Sequence, residues 1–212
     1  IRAKTFQKGI ANYTKSCIIK IVTRKRVKII QTNGGIKMLN VFINTWGNYN
    51  ENGADGGEWI SLPMEENELN ETLEQIAKNM GDEDPEFCIH DFEWITECGD
   101  LCEVDENMDI FALNEQLQEF DTLNEWEQEE TAAAVEAFGY TFKEAMEKQQ
   151  RGCFTFYKGY DLEDLAYELA DEYMNGNSIP SFLSNYFDYK AFARDLGFDG
   201  YTETTNGVII EG

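Results

Sequence analysis

Histidine occurs once in this 212-residue chain, and the residues around it are the first candidates for catalytic chemistry. His90 lies two residues after Cys88 and directly before Asp91, so one short segment holds a thiol, an imidazole and a carboxylate. A nucleophilic enzyme needs such groups to converge within hydrogen-bonding distance. Because residues 87–94 are predicted to form a strand, their side chains are expected to point to alternating faces. The pattern therefore favours a partly buried histidine, hydrogen-bonded within a sheet, over a catalytic one.

Other chemical motifs are incomplete in the sequence. The glycines between residues 53 and 57 are not followed by the Gly-Lys-Ser/Thr of a phosphate-binding loop. Cys98 and Cys102 are separated by three residues instead of two, and no second pair or histidine cluster completes a zinc site. The acidic segments 82–86 and 105–109 lack the spacing of a calcium-binding loop. We therefore predict no catalytic residue, no metal site and no cofactor.

Charge is the most unusual property of the chain, with 41 acidic and 17 basic residues and a net charge of −24. Residues 1–38 contain ten basic and no acidic residues, whereas residues 39–212 contain seven basic and all 41 acidic residues, a net charge of −34. Residues 79–142 alone contain 20 acidic and no basic residues. With 13% aromatic residues the body can still form a core. Since like charges repel one another, this excess predicts a functional use.

The first 38 residues differ from the rest, and we predict that they lie outside the native fold as a basic N-terminal extension. Met38 directly precedes a strand-like segment, as a natural start would. A nucleic-acid-binding arm around residues 24–26 is the alternative. Five cysteines with irregular spacing are typical of free thiols in a reducing compartment, which predicts a cytoplasmic location. No apolar run approaches the roughly 20 residues of a membrane span.

Hydrophobic periodicity predicts an α+β fold with three small domains. The first domain, 39–106, is a small sheet with one helix, in which a polar loop follows the first strand. Its elements are strands 39–47, 58–62 and 87–94 and a helix 65–80. The second domain, 107–150, is helical, with helices at 111–120, 126–138 and 142–148. The third, 151–212, has a strand 153–157, a helix 161–175 stopped by Gly176, a turn or short helix at 179–180, a helix 189–196, and a closing hairpin of 201–203 with 208–211.

Acidic residues line one face of nearly every predicted helix. On the 161–175 helix, the apolar residues cluster on one side and the acids on the other, without the lysines that usually alternate with them. The candidate binding residues, all acidic, are Glu65, Glu68, Glu71, Glu74, Glu115, Glu119, Glu125, Glu129, Asp161, Asp164, Glu168, Asp171 and Glu172. Regular negative charge of this kind imitates the phosphates of DNA, which predicts an elongated DNA mimic. The alternative is an acidic cytoplasmic protein that is salt-adapted or binds calcium.

Four segments resemble the ArdA antirestriction proteins. They are the opening stretch 39–53 with Gly47-Asn48-Tyr49-Asn50-Glu51, then Glu58 to Pro63, Ile89 to Glu93, and Ile179-Pro180 through Leu196. The resemblance implies a non-enzymatic inhibitor from mobile genetic elements, built as an elongated, curved homodimer with three small domains per subunit. It also implies that the protein occupies the DNA groove of Type I restriction-modification enzymes, at the methyltransferase and specificity core. Direct binding to nucleic acid or to a membrane is not expected.

Overall fold

The computed structural model describes residues 36–173, 181–184 and 186–212. Helices and two small antiparallel sheets alternate along the chain, which confirms the predicted α+β class. The elements in order are β1 (Leu39–Thr45), α1 (Trp46–Asn52), β2 (Glu58–Leu62), α2 (Glu66–Met80), β3 (Phe87–Trp94), α3 (Ile110–Asp121), α4 (Glu125–Phe138), α5 (Phe142–Gln150), β4 (Phe154–Lys158), α6 (Leu162–Tyr173), α7 (Ser181–Ser184), α8 (Tyr189–Phe198), β5 (Thr202–Thr204) and β6 (Gly207–Glu211).

The first sheet has the strand order β2-β1-β3 and is covered on one face by α2. In β1, Leu39, Val41 and Ile43 are buried, while the residues between them face the other side. The apolar positions of α2 recur at helical spacing and are all buried: Leu69, Leu73, Ile76 and Ala77. Full burial of a Leu or Ile side chain contributes roughly 1.5–3 kcal/mol, so this contact between α2 and the sheet is a main source of stability.

Two predictions fail after β1. The sequence predicts that the strand extends to residue 47 and that a polar loop follows it, whereas β1 ends at Thr45 and residues Trp46–Asn52 form the helix α1. Thr45, the last residue of β1, caps this helix by accepting a hydrogen bond from the Asn48 N–H at 3.1 Å. Asn48 in turn donates to the Asn44 side chain at 2.8 Å. The helix has no buried residues and no apolar stripe, so hydrophobic periodicity could not reveal it. It is held by the Thr45 cap, by the Asn44–Asn48 hydrogen bond and by ring contacts of its aromatic residues with the sheet.

The three predicted helices of the middle region are confirmed as α3, α4 and α5. Asp109 caps α3 by accepting from the N–H groups of Phe111 and Ala112. Asn124 and Thr141 begin α4 and α5 with capping boxes, in which a glutamate three residues later bonds back to the cap. A cap of this type contributes about 1 kcal/mol. Each helix is therefore delimited by a polar side chain that the sequence provides locally.

The first hydrophobic core extends from the sheet into the middle helices. It contains Leu39 and Leu62 from the sheet and also Leu117, Phe120 and Met146 from α3 and α5. A polar contact joins the same elements in addition. The division into three domains at residues 106 and 150 stays a prediction.

That polar contact is made by Asn114, one of few buried polar residues. Its side-chain oxygen accepts from the Met64 N–H at 2.8 Å, and its amide donates to the Met64 carbonyl at 2.9 Å. Gln118, one turn later on α3, donates to the same carbonyl at 2.7 Å. Because Met64 lies between β2 and α2, the first turns of α3 are tied to the loop that positions α2.

The C-terminal part contains a second sheet with the order β4-β6-β5 and helices α6 and α8 packed together. Strands β5 and β6 form the predicted hairpin, and β4 pairs with β6 along its whole length. Two smaller hydrophobic clusters fill this part. One lies between α4, α5 and the sheet, and the other lies between α6 and α8. The predicted end of the 161–175 helix at Gly176 and the turn at 179–180 lie outside the described residues.

The Asn114 contact predicts a specific loss of stability. Replacing Asn114 with alanine leaves the buried N–H of Met64 without its acceptor, which should lower the free energy of unfolding by about 2 kcal/mol. The control is Asn70→Ala, because Asn70 is exposed on α2 and donates only to a carbonyl of its own helix. Urea unfolding followed by circular dichroism measures both variants. Equal unfolding midpoints for the two variants would show that the contact is unimportant.

Candidate acidic interaction surface

The cysteine and histidine of the candidate catalytic segment lie together, while the aspartate lies apart from them. Cys88 and His90 are two residues apart on β3 and therefore share a face, with 3.3 Å between Sγ and Nε2. Asp91 does not join them, because its side chain accepts from the N–H of Phe92. Burial raises the pKa of the Cys88 thiol to about 11, with Glu106 adding to the effect. A thiol with that pKa is protonated at neutral pH and is a poor nucleophile.

His90 has a packing role within an aromatic cluster. Its ring stacks on Tyr49 with 4.0 Å between centroids and meets the edge of Trp46 at 5.8 Å. Both partners belong to α1, so the histidine attaches this polar helix to the sheet. The predicted interpretation of His90 as a packed sheet residue agrees with this geometry.

The other candidate metal and calcium segments use their carboxylates and thiols locally. Burial raises the pKa of Cys98 and of Cys102, the latter to about 11. Asp82 accepts from the N–H of Asp84, and Asp105 accepts from the N–H of Asn107, so both carboxylates close turns. Within the described part of the chain, no group of three or more histidine, cysteine or acidic side chains could hold a metal ion.

The predicted acidic face of α2 is exposed along its length. The four candidate glutamates of this region are on the surface, and the buried residues of α2 lie on the opposite side. Glu65 precedes the first turn as the N-cap residue but makes no side-chain capping bond. These candidates are Glu65, Glu68, Glu71 and Glu74.

The candidates on α3 and α4 have different environments. Glu115 and Glu119 are exposed, and Glu119 accepts from the Gln150 amide at 3.0 Å. Glu125 and Glu129 both pair with Lys158, at 3.0 and 2.9 Å. These contacts raise the pKa of Lys158, with Glu129 the larger cause. The side chain of Glu129 is only 19% exposed, which makes it the least accessible of the thirteen candidates for which exposure is described.

The acids of α6 lie opposite a buried apolar stripe, as predicted. The buried residues are Leu165, Ala166, Leu169 and Ala170. Asp161 lies at the start of the helix, where it accepts from the Asp164 N–H at 2.7 Å. Glu168 contacts the hydroxyl of Tyr160 at 3.4 Å. All five candidates of this helix are exposed: Asp161, Asp164, Glu168, Asp171 and Glu172.

The basic side chains of the body are concentrated in its C-terminal half, where several of them join structural elements. Lys148 on α5 pairs with Glu211 on β6, and Lys190 on α8 pairs with Glu163 on α6 at 3.6 Å. Between residues 39 and 142 the only basic residue is Lys78. Lys37, just before β1, also lies near α2: burial lowers the pKa of its ammonium, and the charge of Glu68 opposes this shift. The acidic faces of α2 and α3 therefore have few basic residues to neutralise them.

Several acids outside the thirteen predicted binding residues stabilise the fold. Glu136 accepts from both the N–H and the hydroxyl of Thr205 at 3.1 Å and so fixes the β5–β6 turn to α4. Glu203 accepts from the N–H of Leu162 at the start of α6. Glu127 and Glu144 complete capping boxes. The capping boxes could have been found from the spacing Asn/Thr-x-x-Glu, whereas the long-range contacts have no local signal.

A protein-family model described as ArdA, antirestriction protein, matches residues 41–211. The chain belongs to the ArdA family. The resemblance found in four separate segments is thereby confirmed over most of the acidic body. ArdA proteins are inhibitors and not enzymes, and membership implies an antirestriction function with Type I restriction enzymes as interaction partners.

A comparison with curated proteins finds no match to the chain. Among the helices of the described residues, none has the length and apolar character needed to cross a membrane.

The geometry of Cys88 and His90 predicts that antirestriction does not depend on them chemically. The double variant Cys88→Ser and His90→Gln should lose some stability, because Cys88 is buried and His90 packs on α1. Where it folds, it should still protect DNA from a Type I restriction enzyme. Cleavage assays on unmodified DNA, with circular dichroism to check the fold, measure this. Full loss of protection by a native-like variant would contradict the prediction and favour an enzymatic role.

Proposed function

We propose that this ArdA protein acts as a DNA mimic that occupies the DNA-binding groove of Type I restriction-modification enzymes. The observation that carries the proposal is the arrangement of α2 and α6, in which exposed carboxylates lie opposite a buried apolar stripe. The packing that stabilises each helix therefore directs its negative charge outwards. A basic groove that normally holds phosphates would bind such a surface and exclude duplex DNA.

The amount of charge is that of a substantial piece of duplex. B-DNA carries one charge per roughly 1.7 Å of axis, so the 34 net negative charges of residues 39–212 correspond to about 58 Å, or about 17 base pairs. A compact body of 174 residues has a radius of gyration of about 16 Å. A compact body of this size is shorter than the duplex whose charge it carries. We therefore also propose that the protein is elongated, so that its charges can be spaced as they are in DNA.

General adaptation to high salt would require acidity but no directed surface. Salt adaptation does not explain why the few basic side chains are concentrated in the C-terminal half, while α2 and α3 have almost none. Calcium binding would require carboxylates that converge, whereas Asp82 and Asp105 close their own turns. The ArdA match also favours an inhibitor over both alternatives.

A direct test reverses four charges on α6. The variant carries lysine at Asp164, Glu168, Asp171 and Glu172. Exposed ion pairs contribute about 0.2–1 kcal/mol each, so losing four should weaken binding to the methyltransferase core by about 4- to 1000-fold at low salt. The slope of log affinity against log salt should also become shallower, since fewer counterions are exchanged. Competition with labelled duplex DNA at several salt concentrations measures both effects.

The control is a variant with the same change of charge at exposed positions outside the helices' acidic faces. Its four substitutions to lysine are at Asp55, Glu83, Asp100 and Asp199. A directed mimic surface predicts a clearly smaller loss for this control than for the α6 variant. Equal losses would show that only total charge matters, and failure of the parent to compete at low salt would contradict DNA mimicry itself.

We also propose that the protein is a homodimer, which would double the length of duplex imitated. Aromatic side chains are unusually exposed between α7 and the end of α8, with Tyr186 at 85% and Phe198 at 80%. Phe182 and Leu183 on α7 are exposed as well. Large exposed apolar groups of this kind are typical of protein–protein contacts. A pairing surface in this region would leave the acidic faces of α2 and α3 available.

The dimer proposal predicts a change of mass in solution. The double variant Tyr186→Ser and Phe198→Ser should shift the sedimenting species from two subunits towards one at micromolar concentration, because it removes apolar contact area. Phe111→Ser, at an exposed position on α3, is the control and should leave the mass unchanged. A parent that sediments as one subunit at these concentrations would contradict the dimer.

A further inference from the structure

The outer face of the first sheet, opposite α2, carries an exposed aromatic platform. We propose that this platform binds an arginine side chain of a protein partner, beside the acidic helix faces. The partner's identity rests on the function proposed above, because a DNA-binding groove is rich in arginine. The chemistry of the platform itself is independent of that function.

Three residues form one row across the sheet. Strand register places Trp59 opposite Phe42 on one side and Asp91 opposite Phe42 on the other. The rings of Trp59 and Phe42 lie 5.5 Å apart with an interplanar angle of 53°. Neighbouring strands are about 4.8 Å apart, so an indole, a phenyl ring and a carboxylate follow one another over about 10 Å. This length matches the reach of one arginine side chain lying across the row.

The platform is open to solvent at Trp59 and held in place at Phe42. Trp59 is 52% exposed although it lies within a strand. Phe42 rests against Gly57, since a Cβ added at that glycine would lie 2.4 Å from the ring carbon Cζ of Phe42. Helix α1 covers only the far end of this face, through the contacts of Trp46 and Tyr49 with His90. A ring that is already fixed loses little freedom when a ligand binds to it.

The charge around the platform selects a cation. Asp91 and the next outward-facing residue of β3, Glu93, are both exposed, and Glu93 lies opposite Asn40 in the register. Lys78 is the only basic residue between 39 and 142, and it lies on α2, which packs against the opposite face. An apolar partner would have to cover these carboxylates, whereas a cationic partner pairs with them.

Arginine fits this arrangement better than lysine. A planar guanidinium can stack on an indole or phenyl face and at the same time present parallel N–H donors to a carboxylate. A lysine ammonium is more strongly hydrated and forms a point contact. Aromatic faces next to Asp91 and Glu93 therefore predict a preference between two cations of equal charge, which simple electrostatic attraction does not give.

The test uses two probes that differ only in the cation, hexa-arginine and hexa-lysine. Titration of the full chain is followed by NMR through the four indole Nε1–H signals of Trp46, Trp59, Trp94 and Trp126. The parent should bind hexa-arginine about two- to fivefold more tightly than hexa-lysine, with the largest shift at Trp59. Trp59→Ala should abolish the preference. Trp126→Ala is the matched control, since Trp126 is 48% exposed on α4, and should retain it.

A second variant separates stacking from charge. Asp91→Asn with Glu93→Gln should weaken both peptides while the preference for arginine persists, because the rings remain. The inference is overturned if the parent binds both peptides equally, if Trp126 shifts as much as Trp59, or if Trp59→Ala changes the sedimenting mass, which would assign this face to a second copy of the chain. A parent that prefers arginine but does not displace duplex DNA from the methyltransferase core would retain the platform and refute only the DNA-mimic function.

Discussion

Repulsion between carboxylates is the constraint on which this structure depends. A body with 41 acidic and seven basic residues after Met38 must keep most of its negative charge in water while its chain remains compact. The fold achieves this with helices that are apolar on one side and acidic on the other, packed on two small sheets. The hydrophobic contacts have to outweigh the repulsion, so the buried stripes of α2 and α6 and their acidic faces are two parts of one arrangement.

The acids divide into two groups according to what their oxygens contact. One group stabilises the fold: Glu127 and Glu144 in capping boxes, Glu136 at the β5–β6 turn, and Glu211 with Lys148. The other group, which includes the glutamates of α2, extends into solvent. Replacing members of the first group would destabilise local structure, whereas the second group is suited to a distributed electrostatic match in which each carboxylate contributes little. Total acidity alone does not distinguish the two groups.

Most elements of the fold could be predicted from the sequence, because α2, α6 and α8 have clear apolar periodicity and the strands have adequate alternation. Helix α1 could not be predicted, since it has no buried apolar stripe and is held by the Thr45 cap, the Asn44–Asn48 hydrogen bond and ring contacts with His90. The shared face of Cys88 and His90 could be predicted, because residues two apart on a strand point to the same side of the sheet. The exposed acidic faces were predictable from helical geometry. The pairing of Glu129 with Lys158 was not, because 29 residues separate them in the chain.

The side-chain amide of Asn114 bears on how precisely the charges can be spaced. Its two hydrogen bonds to Met64 attach α3 to the residue immediately before the acidic start of α2. The glutamate carboxylates of these two helices are exposed at the surface. The distance between the carboxylate rows of α2 and α3 is instead set inside the protein, by the buried amide of Asn114 and by a core that runs from Met38 to Met146. The spacing of negative charges that a basic groove would contact is therefore determined by buried residues, while the surface residues supply the negative charge itself.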